Sequence, residues 1–122
     1  MGFFSSHEIT PDEIHDKFGQ HLLPGETVLA AFKTIRDVAF LTDLRFVMVD
    51  VQGLTGSKVD VGSVPYKSIV RFSVESAGTL DLDTELKIWV SSRTDPFEVK
   101  ISRGSDPAQI QRLLAERVLG QA

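Results

Sequence analysis

Cysteine is absent from this sequence, and so are long apolar runs and any excess of positive charge. The absence of cysteine excludes disulfides, cysteine-ligated zinc, iron–sulfur clusters and thiol catalysis. No apolar run approaches the roughly 18 residues needed to cross a bilayer. Residues 1–6 also lack the long apolar region of a signal peptide, so we expect a cytoplasmic protein. The net charge of −4 argues against nucleic-acid binding and against attraction to a membrane surface.

The chain has 122 residues, which is enough for one hydrophobic core and too few for two independent domains. Hydrophobic residues make up 42% of the sequence and charged residues 25%, the proportions of an ordinary globular protein. We therefore expect a single domain over residues 1–122.

The first element is predicted to be a short helix over residues 10–22. Thr10 fits the N-cap, Pro11 the first helical position, and Glu13 closes a capping box. The apolar residues of this segment recur every fourth position and form one face; they are Ile14, Phe18 and Leu22. This face predicts packing against another apolar surface.

From residue 26 the apolar period changes from helical to two, and turn signals divide residues 26–103 into strands. The seven predicted strands are 26–36, 37–42, 44–51, 57–63, 68–76, 84–91 and 97–102. A final helix over residues 106–119 is predicted, with Asp106 as N-cap and Gly120 ending it. We expect a mainly β fold, a closed or nearly closed antiparallel barrel with this helix over its open end.

The third predicted strand is apolar on both faces, unlike the last two strands, which alternate cleanly. Phe46 and Met48 lie on one face, and Val47 and Val49 on the other. The second face has to meet either the N-terminal helix or another copy of the chain. Candidate self-association residues on the outer strand faces are Leu29, Ala31, Ile35, Val47, Val49, Val51 and Trp89.

Familiar catalytic and metal-binding patterns are missing. The three histidines, His7, His15 and His21, have no spacing suited to a shared metal ion, and no nucleophile elbow or phosphate-binding glycine motif occurs. We therefore expect no catalytic residue, metal or cofactor. An acidic segment with Asp81, Asp83 and Glu85 leaves one enzymatic alternative open, a small or metal-dependent hydrolase.

Several segments together resemble the bacterial pleckstrin-homology-domain family, in its short single-domain form. The matching stretches are 49–53, Lys58, 64–66, 72–78 and 80–89, the last reading LDLDTELKIW. The resemblance covers residues 26 to 119. It implies a seven-stranded, bent antiparallel barrel or sandwich capped by a C-terminal helix.

The same resemblance implies a non-enzymatic scaffolding module that forms a ring of identical subunits and presents a polar surface to a protein partner. Relatives with a helical hairpin after the last helix form larger assemblies, so for this chain we expect a small ring such as a pentamer. We place the partner-binding surface at the first two turns, on Arg36, Asp37, Thr42, Asp43 and Arg45. Lipid or membrane-surface binding is the alternative function, although few cations lie near the first turn.

Overall fold

The computed structural model of the protein describes residues 9–54, 56–76, 84–102 and 106–120. Within these ranges two α-helices flank seven strands, and short 3₁₀ turns follow the first helix and the fourth strand. The elements are α1 Pro11–Phe18, the 3₁₀ turn Gly19–His21, β1 Val28–Lys33, β2 Asp37–Thr42, β3 Arg45–Gln52, β4 Lys58–Pro65, the 3₁₀ turn Tyr66–Ser68, β5 Ile69–Glu75, β6 Thr84–Val90, β7 Phe97–Ile101 and α2 Pro107–Leu119.

The strands form two antiparallel sheets, one in the order β1-β2-β3-β4 and one in the order β5-β6-β7. The sheets meet at one corner, where Thr34 forms a single antiparallel bridge with Ile101. There the Ser102 N–H donates to the Lys33 carbonyl at 2.9 Å. The mainly β fold with a C-terminal helix is thus confirmed, and the predicted barrel takes the form of two sheets joined at this corner.

The main core lies between the two sheets and is closed by α2. In β6 the alternation of the sequence places Leu86, Ile88 and Val90 inside, as predicted. Ile110 and Leu114 of α2 are fully buried in the same core. An amphipathic helix buries its apolar stripe wherever two sheets leave a core uncovered, so the predicted position of this helix is confirmed.

The N-terminal helix covers the opposite, outer face of the first sheet. Its capping box forms as predicted, with the Glu13 N–H donating to the Thr10 hydroxyl at 3.2 Å. Ile14 and Phe18 pack on a second apolar cluster, and the Phe18 ring stacks on Phe40 with 6.3 Å between the centroids. This contact fixes α1 across the middle of the sheet.

Three elements differ from the prediction by more than one residue at an end, and these differences have structural causes. The α-helix ends at Phe18, and the next three residues tighten into a 3₁₀ turn that starts at Gly19, a poor helix former. The first strand covers 28–33 rather than 26–36, because Glu26 is held in a turn before it. β4 ends two residues later than expected, at Pro65, since Val64 is buried opposite Phe46.

Candidate partner-binding cleft

The five polar residues predicted to bind a partner lie in two separate places. Arg36 and Asp37 are at one end of β2, whereas Thr42, Asp43 and Arg45 are at the other end. A six-residue strand is roughly 20 Å long. The five residues therefore form two groups rather than the single cluster expected from the sequence.

Arg45 is engaged inside the chain. Its Nε and Nη2 donate to the two carboxylate oxygens of Glu26, each at 2.8 Å, and Nη2 also donates to the His21 carbonyl at 2.7 Å. Its Nη1 donates to the Ser63 hydroxyl at 2.7 Å. Glu26 is buried, and the hydrogen bonds from Arg45 lower the pKa of its carboxyl to about 2 against the opposing effect of burial.

Thr42 extends the same network and is itself fully buried. Its hydroxyl donates to Glu26 Oε2 at 2.6 Å and accepts the Arg45 N–H at 3.0 Å. The Thr42 carbonyl accepts a hydrogen bond from the Tyr66 hydroxyl at 2.6 Å, and burial raises the pKa of that phenol. Thr42 and Arg45 thus hold the turn between β2 and β3 through contacts within the chain, and their role in partner binding stays a prediction.

Arg36, at the other end of β2, is exposed and faces a cleft. The turn that carries it is closed by Thr34, whose hydroxyl accepts the Asp37 N–H at 3.0 Å. The Arg36 side chain is 72% exposed and its Nη1 lies 3.5 Å from Asp50 Oδ2 on β3. This ion pair spans the mouth of the cleft and, being mostly in water, contributes little to stability.

The cleft has a volume of about 530 Å³ and separates β7 from the nearby ends of β2, β3 and β4. Its apolar lining comes from Ile35, Val38, Ala39, Met48, Val49, Phe97 and Val99. Its size falls in the range of ordinary binding pockets, and an apolar floor with polar groups at the rim is their usual composition.

One wall of the cleft is the free edge of β7. At the joined corner, the Ile35 N–H donates to the Lys100 carbonyl, which therefore points away from β6. Alternate residues of an antiparallel strand direct both backbone groups to the same side, so the N–H and carbonyl of Glu98 point to this edge as well. Among the described backbone groups none pairs with Glu98 there.

Charged side chains at the rim are mainly acidic. Lys100 and Arg36 are the two cations of the lining, and Arg36 is already paired with Asp50. A third cation, Arg93, lies over the ring of Phe97 with its Cζ 4.1 Å from the centroid. The four carboxylates of the lining are Asp50, Asp60, Glu85 and Glu98.

Comparison with known proteins identifies the family. The family model described as "Bacterial PH domain" matches residues 2–118, nearly the whole chain. The chain belongs to the bacterial PH-domain family. The resemblance carried by residues 26–119 of the sequence is thereby confirmed.

This bacterial PH domain is similar to proteins of several bacteria. It is 48% identical over 121 residues to the uncharacterized protein YjqA of Bacillus subtilis strain 168, covering 94% of this chain and 97% of that one. A pleckstrin homology domain from Shewanella amazonensis has 38% identity and a TM-score of 0.76, covering 93% of this chain and 92% of its own. A DUF1696-family protein with a pleckstrin-homology domain from Shewanella loihica has 39% identity and a TM-score of 0.80, with 92% and 96% covered.

The predicted self-association residues fall into covered and exposed groups. Val47 and Val49 are almost fully buried beneath α1 of the same chain. Of the two alternatives, the N-terminal helix and not a second copy covers them. Leu29 and Ala31 are half-buried. Ile35 and Val51 are exposed, Ile35 to 67%, and remain accessible to a second copy.

Val51 belongs to an exposed apolar patch at the β3–β4 hairpin, which we call the hairpin patch. Its members are Val51, Leu54 and Val59. Val51 lies directly opposite Val59, and the two side chains are 39% and 53% exposed. Leu54, near the hairpin tip, is fully exposed. Among the described strands β4 is the edge of its sheet, so no described strand pairs with its outer side beside the patch.

Trp89, expected to point outward, is half-buried and has a partner within the chain. The guanidinium of Arg71 lies over its ring, with Cζ 4.4 Å from the centroid. Arg71 is directly opposite Trp89 in the β5–β6 pairing. This cation–π contact shields the outer ring face.

The hydrolase alternative falls partly outside the described residues, since Asp81 and Asp83 lie there. Glu85 is described, and it lines the cleft. Over the described ranges, no three histidine, aspartate or glutamate side chains come close enough together to bind a metal ion. No helix in those ranges has the length and hydropathy needed to span a membrane.

Sequence reasoning missed two features of this region. Glu26 belongs to no motif, although antiparallel pairing of β1 with β2 brings a carboxylate just before β1 close to an arginine just after the β2–β3 turn. The second feature is the pair of carboxylates of Asp50 and Asp60. The two residues lie opposite each other on one face of the β3–β4 hairpin. This pattern indicates a local acidic surface.

Proposed function

We propose that this bacterial PH domain is a non-enzymatic scaffolding module that assembles into a cyclic homo-oligomer and binds a protein partner on a polar surface. The observation that carries the assembly is the hairpin patch, an exposed apolar pair on an edge strand with an exposed leucine beside it. Apolar side chains next to unpaired strand edges favour association with another chain.

A ring requires two different surfaces on each subunit, because head-to-tail contacts are the ones that close into a cycle. The hairpin patch supplies one of them. Exposed Leu44, in the turn between β2 and β3 and at the other end of β3 from the hairpin patch, is a second apolar side chain that lies outside the cleft. A small ring of about five subunits, as the family resemblance implies, is the assembly that we propose.

The assembly is tested by light scattering coupled to size exclusion at micromolar concentration. We expect an oligomer for the wild-type chain and mostly monomer for Val59→Lys, because a lysine on the edge strand removes apolar contact and adds like charge between subunits. A matched control is Leu119→Lys, at the end of α2, whose leucine is 72% exposed. The control is expected to keep the wild-type mass.

A wild-type monomer at this concentration contradicts the assembly, and so does a Val59→Lys variant that keeps its full mass. Circular dichroism of both variants confirms that the substitutions leave the fold unchanged. Because both substitutions introduce the same side chain at an exposed site, a difference between them reports on position rather than on charge.

A further inference from the structure

We propose that the cleft beside β7 binds an extended, basic segment of the partner protein, which adds as a strand to the free edge of β7. The inference rests on the proposed protein-binding function and specifies where the partner binds and what its chemistry is. It is carried by three observations: a free strand edge, an apolar floor and an acidic rim.

The free edge supplies the backbone contacts. The N–H and carbonyl of Glu98 point to the cleft side of β7, whereas the Lys100 carbonyl already accepts the Ile35 N–H beside the single Thr34–Ile101 bridge. An extended segment placed along this edge would satisfy these groups through main-chain hydrogen bonds, which give affinity without demanding a particular sequence. Four of the five residues of β7, Phe97 to Lys100, line the cleft.

The apolar floor supplies the side-chain pockets. Met48 and Ala39 of the first sheet and Phe97 of β7 line it. Alternate side chains of an added strand point to opposite sides. Every second residue of the segment would therefore enter the floor, and the residues between them would reach the rim.

The rim selects the charge of the segment. Four carboxylates face two cations in the lining, and one of those cations is already paired with Asp50. Of these carboxylates, those of Asp60 and Glu98 belong to exposed residues. A lysine or arginine of the segment would form charge-assisted hydrogen bonds with them.

The same rim disfavours the other occupants of such a cleft. An acidic segment or a phosphorylated head group would meet four carboxylates against two cations in the lining. A second copy of this chain would make the cleft part of the oligomer interface, and a substitution in the cleft would then change the mass of the assembly. The experiment below separates these cases.

The probe is a capped synthetic heptapeptide, Ser-Lys-Val-Thr-Val-Lys-Ser, titrated to about 1 mM into ¹⁵N-labelled protein and followed by NMR. We expect saturable shifts of the amide signals of Glu98 and Lys100. A matched peptide with glutamate in place of both lysines is expected to bind at least tenfold more weakly. Asp60→Lys is expected to weaken binding of the basic peptide about tenfold, because it reverses one charge of the rim.

The charge-matched control is Glu116→Lys, on the exposed face of α2, and it should leave peptide affinity unchanged. The proposal would be overturned if the amide signals of β7 did not shift or if the two peptides bound equally well. It would also be overturned if Asp60→Lys and Glu116→Lys lost the same peptide affinity. A change of oligomer mass caused by Asp60→Lys would overturn it too, by assigning the cleft to a second copy. The mass of the assembly is measured separately from peptide binding. Peptide binding by a monomer would therefore contradict only the proposed assembly, and an oligomer that does not bind the peptide would contradict only the proposed peptide site.

Discussion

Glu26 joins the segment before β1 to the turn between β2 and β3, 16 to 19 positions further along the chain. Its carboxylate accepts two hydrogen bonds from Arg45 at the start of β3, one from the Thr42 hydroxyl at the end of β2, and one from the Leu23 N–H after α1. Bidentate arginine–carboxylate pairs are among the stronger polar contacts. This one closes the turn between β2 and β3 against the segment before β1.

The network predicts a specific dependence of stability on pH. The pKa of Glu26 falls from an ordinary value of 4.5 to about 2 on folding, so the ionised carboxylate stabilises the folded state above pH 4.5. That contribution, up to about 3 kcal/mol, is lost as the pH falls from about 4.5 to about 2. We expect Glu26→Gln to lower the free energy of unfolding by about 2 to 3 kcal/mol at pH 7.

Urea unfolding at pH 7 and at pH 3 measures this effect. The difference between wild type and Glu26→Gln should shrink at the lower pH, because at pH 3 the Glu26 carboxyl is protonated in the unfolded chain but still mostly ionised in the folded one. Glu116→Gln, on the exposed face of α2, serves as the control and should match wild type throughout. An equal wild-type advantage at both pH values would show that Glu26 is not ionised in the folded protein as described.

At the scale of elements, α1 decides which apolar surface the first sheet exposes. The helix has little intrinsic stability, since eight residues are too few to persist alone in water. It is held by packing of Ile14 and Phe18 on Phe40, Val47 and Val49. The helix and the sheet face beneath it therefore depend on each other.

We expect Phe18→Ala to destabilise the protein by about 3 kcal/mol, from lost burial and the cavity left against Phe40. It should also increase binding of a hydrophobic dye, because a loosened α1 uncovers Val47 and Val49. His15→Ala, on the exposed side of the same helix, controls for general effects on helix stability. Thermal unfolding and dye fluorescence measure the two quantities. If Phe18→Ala lowered the free energy of unfolding by less than about 0.5 kcal/mol, α1 would not stabilise the sheet.

At the scale of the whole molecule, charge separates the two functions considered for this fold. The net charge is −4, and the cleft adds four carboxylates to the surface that a charged ligand would meet. Recognition of a phosphorylated lipid head group needs several converging cations. Arg36 and Lys100 are the two cations of the lining, and Arg36 is paired with an aspartate.

We therefore expect no binding to phosphatidylcholine vesicles, with or without an anionic phosphoinositide, even at low ionic strength, where attraction between charges is strongest. Cosedimentation with vesicles measures this directly. Vesicles of phosphatidylcholine alone control for adsorption that does not depend on charge. Binding that requires the phosphoinositide and disappears in salt would favour the lipid alternative over protein recognition.

The sequence by itself determined the features that depend on neighbouring residues. The capping box of α1, the N-cap of α2 at Asp106 and the inward face of β6 all follow from interactions spanning a few positions. Such short-range signals survive in any fold that contains the element. The order and number of the strands were predicted in the same way, and the ordered segments pointed to the family.

Only the tertiary structure decided what depends on chain path and register. It brought Glu26 to Arg45 across 19 positions, placed α1 rather than a second copy over Val47, and separated Arg36 from Arg45 along β2. It also opened a cleft between β7 and the ends of three other strands. The physical reason is that these contacts join residues remote in sequence, and their geometry follows from how the two sheets pack rather than from any local pattern.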